Sequence, residues 1–273
     1  MQKTILITGA SSGIGKATAQ LFQEKGWNVI ATMRTPEKEE DLTKLDNVLV
    51  TKLDVQDNAS INNAIQAGIE KFGKIDVLLN NAGYGLAGTF ESMSKEVITR
   101  QFEVNVFGLF DVTKAILPHF RANKAGTIIN ISSVGGRMTF PLFSLYHGTK
   151  FAVEGFSESL HYELKPLGIK VKIVEPGFVK TEFAGRSLDF QHDQNLEEYN
   201  AFVGHVMNVF GERSATDAGS TPDMTAGNIY HAATDGTDTL RYRAGADAEQ
   251  LLEARSTMTD EAFIGMMNER FSL

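Results

Sequence analysis

Short apolar runs alternate with amphipathic segments along almost the whole chain. The apolar runs are rich in β-branched residues and too short for helices, which is typical of strands buried on both faces of a parallel sheet. Seven such strands are predicted, at residues 3–8, 28–33, 47–53, 75–80, 127–132, 169–175 and 239–244. The segments between them repeat apolar residues at three- and four-residue intervals, which predicts helices with one apolar face.

The predicted helices alternate regularly with the strands. They cover residues 15–26, 57–72, 94–121, 146–165, 196–210, 222–234 and 260–271. This alternation favours the α/β class, in the form of a single doubly wound Rossmann domain over residues 1–273. Its seven-stranded sheet is expected to be mostly parallel, with helices on both faces. We expect residues 178–222 to form a loop and helix inserted over a substrate site.

The composition excludes several functional classes. A net charge of −8 without any run of Lys or Arg argues against a nucleic-acid partner. The chain has no cysteine, which excludes disulfides and thiolate catalysis, and no His/Asp/Glu cluster has ligand spacing, so no metal site is predicted. The N-terminal segment contains too few apolar residues for a signal peptide, and no stretch approaches membrane-spanning length. We therefore expect a cytoplasmic protein with no membrane partner.

A glycine-rich turn, Gly9-Ala10-Ser11-Ser12-Gly13-Ile14-Gly15, follows the first predicted strand and opens the first helix. Glycines at such a turn let the backbone approach a pyrophosphate, and the amides of the helix N-terminus then bind it. The spacing differs from the commonest fingerprint, Gly-x-Gly-x-x-Gly, and glycine-rich turns are frequent. The position of the turn inside a strand–helix–strand unit nevertheless favours dinucleotide binding.

A hydroxyl, a phenol and an ammonium are predicted to meet near the end of the fifth strand. Ser133 ends that strand, while Tyr146 and Lys150 are one helical turn apart on the next helix. Of the six tyrosines, only Tyr146 has a lysine four positions later. A nearby cation is expected to lower the phenol's pKa, which suits Tyr146 to acid–base work, with Ser133 holding a substrate oxygen. The alternative is an exposed Tyr–Lys pair with no function.

Asn105 is a poor helix former inside the apolar stretch Val104-Asn105-Val106-Phe107-Gly108. One interpretation is a buried amide with satisfied hydrogen bonds. The other is a local distortion of the helix that lends a polar group to the site. The residues alone do not decide between them.

The end of the second strand indicates which dinucleotide binds. An acid at this position accepts a hydrogen bond from the ribose 2′-hydroxyl of NAD and repels the 2′-phosphate of NADP. This strand ends in Met33 and Arg34, with no carboxylate before Glu37. Arg34 offers a fork of donors suited to a phosphate, so NADP(H) is favoured and NAD(H) remains possible. The alternative is a solvated Arg34 whose field is diluted by Glu39 and its acidic neighbours.

Three apolar segments follow strand ends and should surround the reacting centre: 84–88, 138–143 and 178–210. Their apolarity suggests a bulky hydrophobic or aromatic substrate, although Phe202, Val206 and Phe210 are also explained as the seat of an amphipathic helix. His147 is expected to face away, one position from Tyr146. The predicted substrate-pocket residues are Tyr84, Gly85, Phe140, Phe143 and Phe183.

Together these motifs resemble the short-chain dehydrogenase/reductases along essentially the whole chain. The narrower resemblance, through Ala31–Arg34 and Arg241–Asp247, is to the branch related to 17β-hydroxysteroid dehydrogenases. The resemblance implies Asn105, Ser133, Tyr146 and Lys150 as catalytic residues. With Arg34 added, the predicted cofactor-binding residues are Gly9, Ser11, Ser12, Gly13, Ile14, Gly15, Arg34, Asp54, Val55, Asn81, Ala82, Gly83, Tyr146, Lys150, Pro176, Gly177, Val179 and Thr181.

The resemblance implies hydride transfer between NADP(H) and a carbonyl or alcohol carbon, with Tyr146 as acid–base. Lys150 would lower its pKa and bind the nicotinamide ribose, and Asn105 would hold a relay water. The family's usual helix pairing implies a homodimer or homotetramer. Alternative functions are other chemistry on the same site, such as that of an epimerase or dehydratase, and non-catalytic nucleotide-binding regulation.

Overall fold

A computed structural model describes residues 2–181, 187–215 and 219–273. Seven of the strands form one sheet in the order β3-β2-β1-β4-β6-β7-β9, and β5 and β8 form a separate two-stranded sheet. The strands are β1 (Thr4–Thr8), β2 (Asn28–Met33), β3 (Val48–Lys52), β4 (Val77–Asn80), β5 (Gly85–Gly88), β6 (Gly126–Ile131), β7 (Ile169–Pro176), β8 (Leu188–Gln191) and β9 (Arg241–Ala244). The predicted α/β fold is confirmed.

All ladders of the large sheet are parallel. β1 pairs with β2 on one side and β4 on the other, so the strand order reverses at β1. All residues of β1, β2 and β4 are buried, because helices cover both faces of the sheet. Ligands of open α/β sheets bind at the carboxyl edge beside such a reversal.

Helices cover both faces of the sheet and one end of it. They are α1 (Gly13–Glu24), α2 (Asn58–Phe72), α3 (Lys95–Phe102), α4 (Gly108–Asn123), α5 (Ser144–Leu164), α6 (Glu197–Ala215), α7 (Pro222–Thr234), α8 (Ala246–Thr257) and α9 (Asp260–Phe271). A π-helical turn at Glu103–Phe107 separates α3 from α4, which the sequence predicted as one helix. α8 and the small β5–β8 sheet were not predicted.

The apolar side chains form three clusters. One face of the sheet packs against α1 and α7, where Phe22 meets Trp27 and Tyr230 edge to face at ring distances of 5.0 and 5.2 Å. The other face packs against α2, α4 and α5. A third cluster joins residues 134–142 to α6, α8 and α9, with Val206 and Phe271 at its centre. Burying a side chain such as Phe22 contributes roughly 1.5–3 kcal/mol.

Candidate active site

One cleft, with a volume of about 1380 Å³, runs along the carboxyl edge of the large sheet. It is lined by the ends of β1, β2, β4, β6 and β7 and by the loops that follow them. Among the predicted cofactor residues, all but Gly15 line it. The fold therefore brings together motifs that are far apart in the sequence.

The glycine-rich turn is held against the loop after β4. Gly9 has φ +70°, and a Cβ there would lie 3.0 Å from the Ala82 backbone. The Asn81 side chain donates hydrogen bonds to the carbonyls of Thr8 and Gly9 at 2.9 and 3.0 Å. Gly15 does not line the cleft, because it packs beneath Gly9, whose carbonyl oxygen a Cβ would strike.

The turn leads into the N-terminus of α1, which faces the cleft. Ser12 caps this helix in an extended conformation without a side-chain cap hydrogen bond, and the first turn carries no acidic residue. The first amides of a helix have no partner within it, and the helix dipole favours anions at this end. Ser11, Ser12 and Gly13 line the cleft here, so the cradle fits a pyrophosphate.

Beyond the turn, the cleft passes Arg34, which is exposed at the end of β2. Glu39 follows it in the lining and pairs with Lys16 at 3.2 Å, although Lys16 also pairs with Asp41 at 2.6 Å. Glu39 further accepts hydrogen bonds from the amides of Asp41 and Leu42 at 2.9 and 3.0 Å. Burial opposes ionisation, but these donors hold the pKa of Glu39 below its usual value. The predicted dilution of Arg34's field by Glu39 is therefore weak.

At the other end of the cleft, the predicted catalytic side chains come together. Ser133 Oγ accepts a hydrogen bond from the Gly135 amide at 3.0 Å and is hydrogen-bonded to the Tyr146 hydroxyl. Lys150 Nζ lies 5.8 Å from the centre of the Tyr146 ring and donates to the Ile131 carbonyl at 2.9 Å. The strand end and one helix face thus meet as the sequence predicts.

The protonation equilibria differ from the sequence prediction. Burial raises the pKa of Tyr146 to about 12, and the hydrogen bond with Ser133 offsets only part of this effect. Burial also lowers the pKa of Lys150 to about 8, although the charge of Glu154 opposes the change. Desolvation is therefore the dominant influence on the phenol. The expectation that the pKa of Tyr146 lies below its usual value is wrong for the protein alone.

Asn105 is buried within the π-helical turn, so the helix is locally distorted as one sequence interpretation expects, and its amide is fully hydrogen-bonded as the other expects. Its side chain donates to the Tyr84 carbonyl at 2.9 Å and accepts from the Tyr84 amide at 3.0 Å. A further contact joins its Nδ2 to Thr149 Oγ1 at 3.3 Å. Asn105 thus links the loop after β4 to α5, next to Tyr146, but does not itself line the cleft.

Apolar side chains line the cleft on the side away from the glycine turn. Tyr84, Phe140 and Phe143 take the predicted positions, and Phe210 joins them from α6. Gly85 does not line the cleft, because it is buried as the first residue of β5 and pairs with Leu188. The predicted pocket residue Phe183 lies outside the described residues.

Two further predictions for this region are tested. Val206 is fully buried and Phe202 packs against the third cluster, so the structural explanation of these two residues is confirmed. His147 faces away from the cleft, as expected. Its ring accepts from the Phe140 amide at 2.8 Å and contacts the Gly135 carbonyl at 2.8 Å, which fixes the segment between them.

Sequence reasoning missed several polar residues of the cleft wall. Arg100 forms an ion pair with Asp189 of β8 and donates to Tyr84 Oη at 3.3 Å. Asp247 and Gln250 of α8 also line the cleft. Only Asp247 carried a signal, through the Arg241–Asp247 segment, because the others depend on contacts between distant parts of the chain.

The described residues contain no group of His, Asp and Glu side chains able to hold a metal ion. Among the helices of the described ranges, none is long and apolar enough to cross a membrane. The remaining features define the class: a nucleotide-binding α/β protein whose cleft joins a pyrophosphate cradle to a Ser–Tyr–Lys group.

Comparisons with known proteins define this class further. The sequence model for short chain dehydrogenase matches residues 3–191. A 3-ketodihydrosphingosine reductase from Bacteroides thetaiotaomicron is 42% identical over 200 residues, covering 73% of this chain and 72% of that protein. A short-chain dehydrogenase structure from Streptomyces avermitilis has a TM-score of 0.84 at 34% identity, covering 98% and 95% of the two chains.

A second solved structure, ElxO with NADP bound, has a TM-score of 0.72 at 30% identity, covering 89% of this chain and 98% of that one. Another structure of this fold carries NADH. The chain therefore belongs to the short-chain dehydrogenase/reductase family. It is an oxidoreductase of that family that uses a nicotinamide cofactor.

Proposed function

We propose that this protein is an NADP(H)-dependent carbonyl reductase or alcohol dehydrogenase for an apolar substrate. The observation that carries the proposal is the cleft that joins the glycine-rich turn to Ser133, Tyr146 and Lys150. The glycine turn and the N-terminus of α1 would hold the pyrophosphate, and the loop 176–181 would hold the nicotinamide carboxamide. The bound cofactor supplies or accepts the hydride at the substrate carbon.

The protein's own part is orientation and proton transfer. The Ser133 hydroxyl orients the substrate oxygen, and Tyr146, with a pKa of about 12, carries its proton at neutral pH and donates it to that oxygen during reduction. Lys150 Nζ, held by the Ile131 carbonyl, binds the nicotinamide ribose. Asn105 keeps the loop at Tyr84 in place. The relay water expected from the resemblance has no support from its geometry, because its side-chain oxygen and nitrogen are both already hydrogen-bonded and it does not line the cleft.

The preference for NADP(H) rests on Arg34. Its guanidinium lies at the end of β2, where the 2′-position of the adenosine ribose binds in dinucleotide folds. The pairing of Glu39 with Lys16, which Lys16 shares with Asp41, supports the preference because it weakens the repulsion between Glu39 and a 2′-phosphate. NAD(H) is the alternative cofactor.

The apolar character of the substrate rests on the lining. Tyr84, Phe140, Phe143 and Phe210 surround the space beside Tyr146. The relative from Bacteroides is named as a reductase of 3-ketodihydrosphingosine, a ketone with an apolar chain, which agrees with such a lining. We propose a bulky, apolar carbonyl compound or its alcohol.

The function is tested by following NADPH and NADH oxidation across a panel of long-chain ketones, aromatic aldehydes and steroids, and NADP⁺ reduction with the matching alcohols. Turnover with apolar ketones is expected. Interconversion of products without net change in NADPH would instead identify an epimerase or dehydratase, and binding without turnover would identify a regulator.

We also propose a homodimer or homotetramer. One face of α5 is exposed and largely apolar, and it carries Gly148, Phe151, Gly155 and Tyr162. Phe107, which directly precedes α4, is also exposed. A Cβ on Gly155 would meet nothing within 4 Å, so close approach of a second copy is open there. Light scattering that shows only monomer at micromolar concentration would contradict this assembly.

A further inference from the structure

A carboxylate with no assigned role is built into the cleft wall beside the loop after β7. Asp247 Oδ2 accepts a hydrogen bond from the Phe178 amide at 2.7 Å, across 69 positions of the chain. Asp247 lines the same cleft as Pro176 and Val179. It lies in the first turn of α8, where the helix dipole favours a negative charge.

Two glycines make room for this carboxylate. A Cβ on Gly177 would overlap with it, and a Cβ on Gly245 would lie 2.7 Å from Asp247 Oδ1. Gly245 also has φ +114°, a conformation that L side chains rarely adopt. The backbone on both sides is therefore shaped around the side chain of Asp247.

The charge of Asp247 is not neutralised within residues 2–181, 187–215 and 219–273. Oδ1 is enclosed and has no hydrogen-bond partner among the described side chains. Two other acids of the cleft lining form ion pairs, Glu39 with Lys16 and Asp189 with Arg100, whereas Asp54 accepts only from the Gln56 amide among the described residues. Among the described side chains, the Asp247 carboxylate in the wall of the cleft thus has one oxygen bound to the Phe178 amide and one without a partner.

This charge lies at a specific end of the cleft. Arg34 and the glycine turn occupy the β1–β2 end, whereas Asp247 binds the loop that follows β7, the strand beside β6. If the proposed function holds, the nicotinamide ring binds at this second end. The oxidised ring carries a positive charge and the reduced ring is neutral, so a carboxylate nearby stabilises only the oxidised form.

We propose that Asp247 is a positioning residue: it shapes the loop 176–181 and, through its charge, favours binding of the oxidised cofactor over the reduced one. The two parts of this role separate experimentally. The hydrogen bond to Phe178 affects both cofactor forms equally, because both contact the same loop. The charge affects the oxidised form alone.

The test measures the dissociation constants of NADP⁺ and NADPH by calorimetry. Asp247→Asn keeps an acceptor for the Phe178 amide but removes the charge. The dissociation constant is expected to rise about tenfold for NADP⁺ and less than about twofold for NADPH, because the lost charge interacts with the positively charged oxidised ring and not with the neutral reduced ring. Glu249→Gln, which removes an exposed carboxylate from the same helix, is the matched control and should leave both constants unchanged.

Further variants keep the proposal falsifiable. Asp247→Glu retains the charge, so the ratio of the two constants should stay at the wild-type value even if both affinities fall. Asp247→Ser is a second neutral variant for use if the Asn variant does not fold. Equal weakening of both forms in the neutral variants, or no change in either, would overturn the charge role. A wild-type protein that binds neither nucleotide would refute the proposed function instead.

Discussion

Replacing Tyr146 with Phe removes a single oxygen from the site and should abolish nearly all turnover. The other two side chains of the site are held by hydrogen bonds that do not involve Tyr146. Ser133 Oγ accepts from the Gly135 amide at 3.0 Å, and Lys150 Nζ donates to the Ile131 carbonyl at 2.9 Å. The Phe ring can retain the edge-to-face contact with Phe143 at 6.2 Å between ring centres. The perturbation is therefore local.

The expected magnitudes for folding and catalysis are well separated. Losing one hydroxyl hydrogen bond costs about 1 kcal/mol of folding free energy. Losing a positioned acid costs about 10²–10⁴-fold in rate, which is about 3–5 kcal/mol of activation free energy. The Tyr146→Phe variant should thus have a melting temperature close to that of the wild type and bind NADPH with unchanged affinity, while its kcat falls by at least about a hundredfold.

The assay is NADPH oxidation with the best ketone of the panel, alongside calorimetric NADPH binding and thermal unfolding. Tyr162→Phe is the matched control, since it removes the same oxygen from the same helix at a residue that does not line the cleft. It should retain full activity. A folded Tyr146→Phe protein whose kcat stays within about tenfold of the wild type would refute the assignment of Tyr146 as the proton donor.

Three further predictions concern the cofactor. Arg34→Ala should weaken the binding of NADPH by roughly 1.5–3 kcal/mol for each charge-assisted hydrogen bond that is lost, and the binding of NADH far less. Met33→Asp should shift the cofactor preference toward NADH. A wild-type kcat/KM that is clearly higher with NADH than with NADPH would contradict both expectations. Gly15→Ala should abolish cofactor binding or lower the melting temperature, since its Cβ would strike the Gly9 carbonyl, and unchanged affinity and stability would argue against that packing. Burial lowers the pKa of Lys150 to about 8, so its ammonium is present below that pH and lost above it. If the ammonium binds the nicotinamide ribose, kcat/KM for NADPH should fall as pH rises through about 8. A profile that stays flat to about pH 10 would contradict ribose binding by the Lys150 ammonium.

The central strands of the large sheet were predictable because they are buried on both faces. In Thr4–Thr8, for example, consecutive apolar residues stand between the two threonines, and the local sequence carries that signal directly. The β5–β8 sheet carries no such signal. Gly85–Gly88 contains two glycines, which are poor strand formers, and its partner Leu188–Gln191 lies about a hundred residues away. Its pairing depends on tertiary structure alone.

The candidate site divides in a similar way. The positions of Ser133, Tyr146 and Lys150 follow from spacing on a strand end and a helix face, so the sequence was sufficient to bring them together. The pKa of Tyr146 was not predictable, because it depends on how many atoms exclude water from the phenol. The contact of Asp247 with the Phe178 amide also required the fold, since the two residues belong to different elements.

The separation of the third apolar cluster from the other two bears on how this protein can acquire new specificity. The family's sequence model ends at residue 191, and α6, α8 and α9, which build the third cluster, lie beyond it. That cluster shares no residue with the two clusters that hold the sheet, and Phe271 from it lines the cleft. Distant substitutions without shared partners are close to additive in their effects on stability. Substitutions at apolar positions of α6 and α9 are therefore the ones expected to alter the cleft lining with little effect on the packing of the sheet. α7 and β9 also lie beyond residue 191, but they belong to the first cluster and to the large sheet and should be left unchanged.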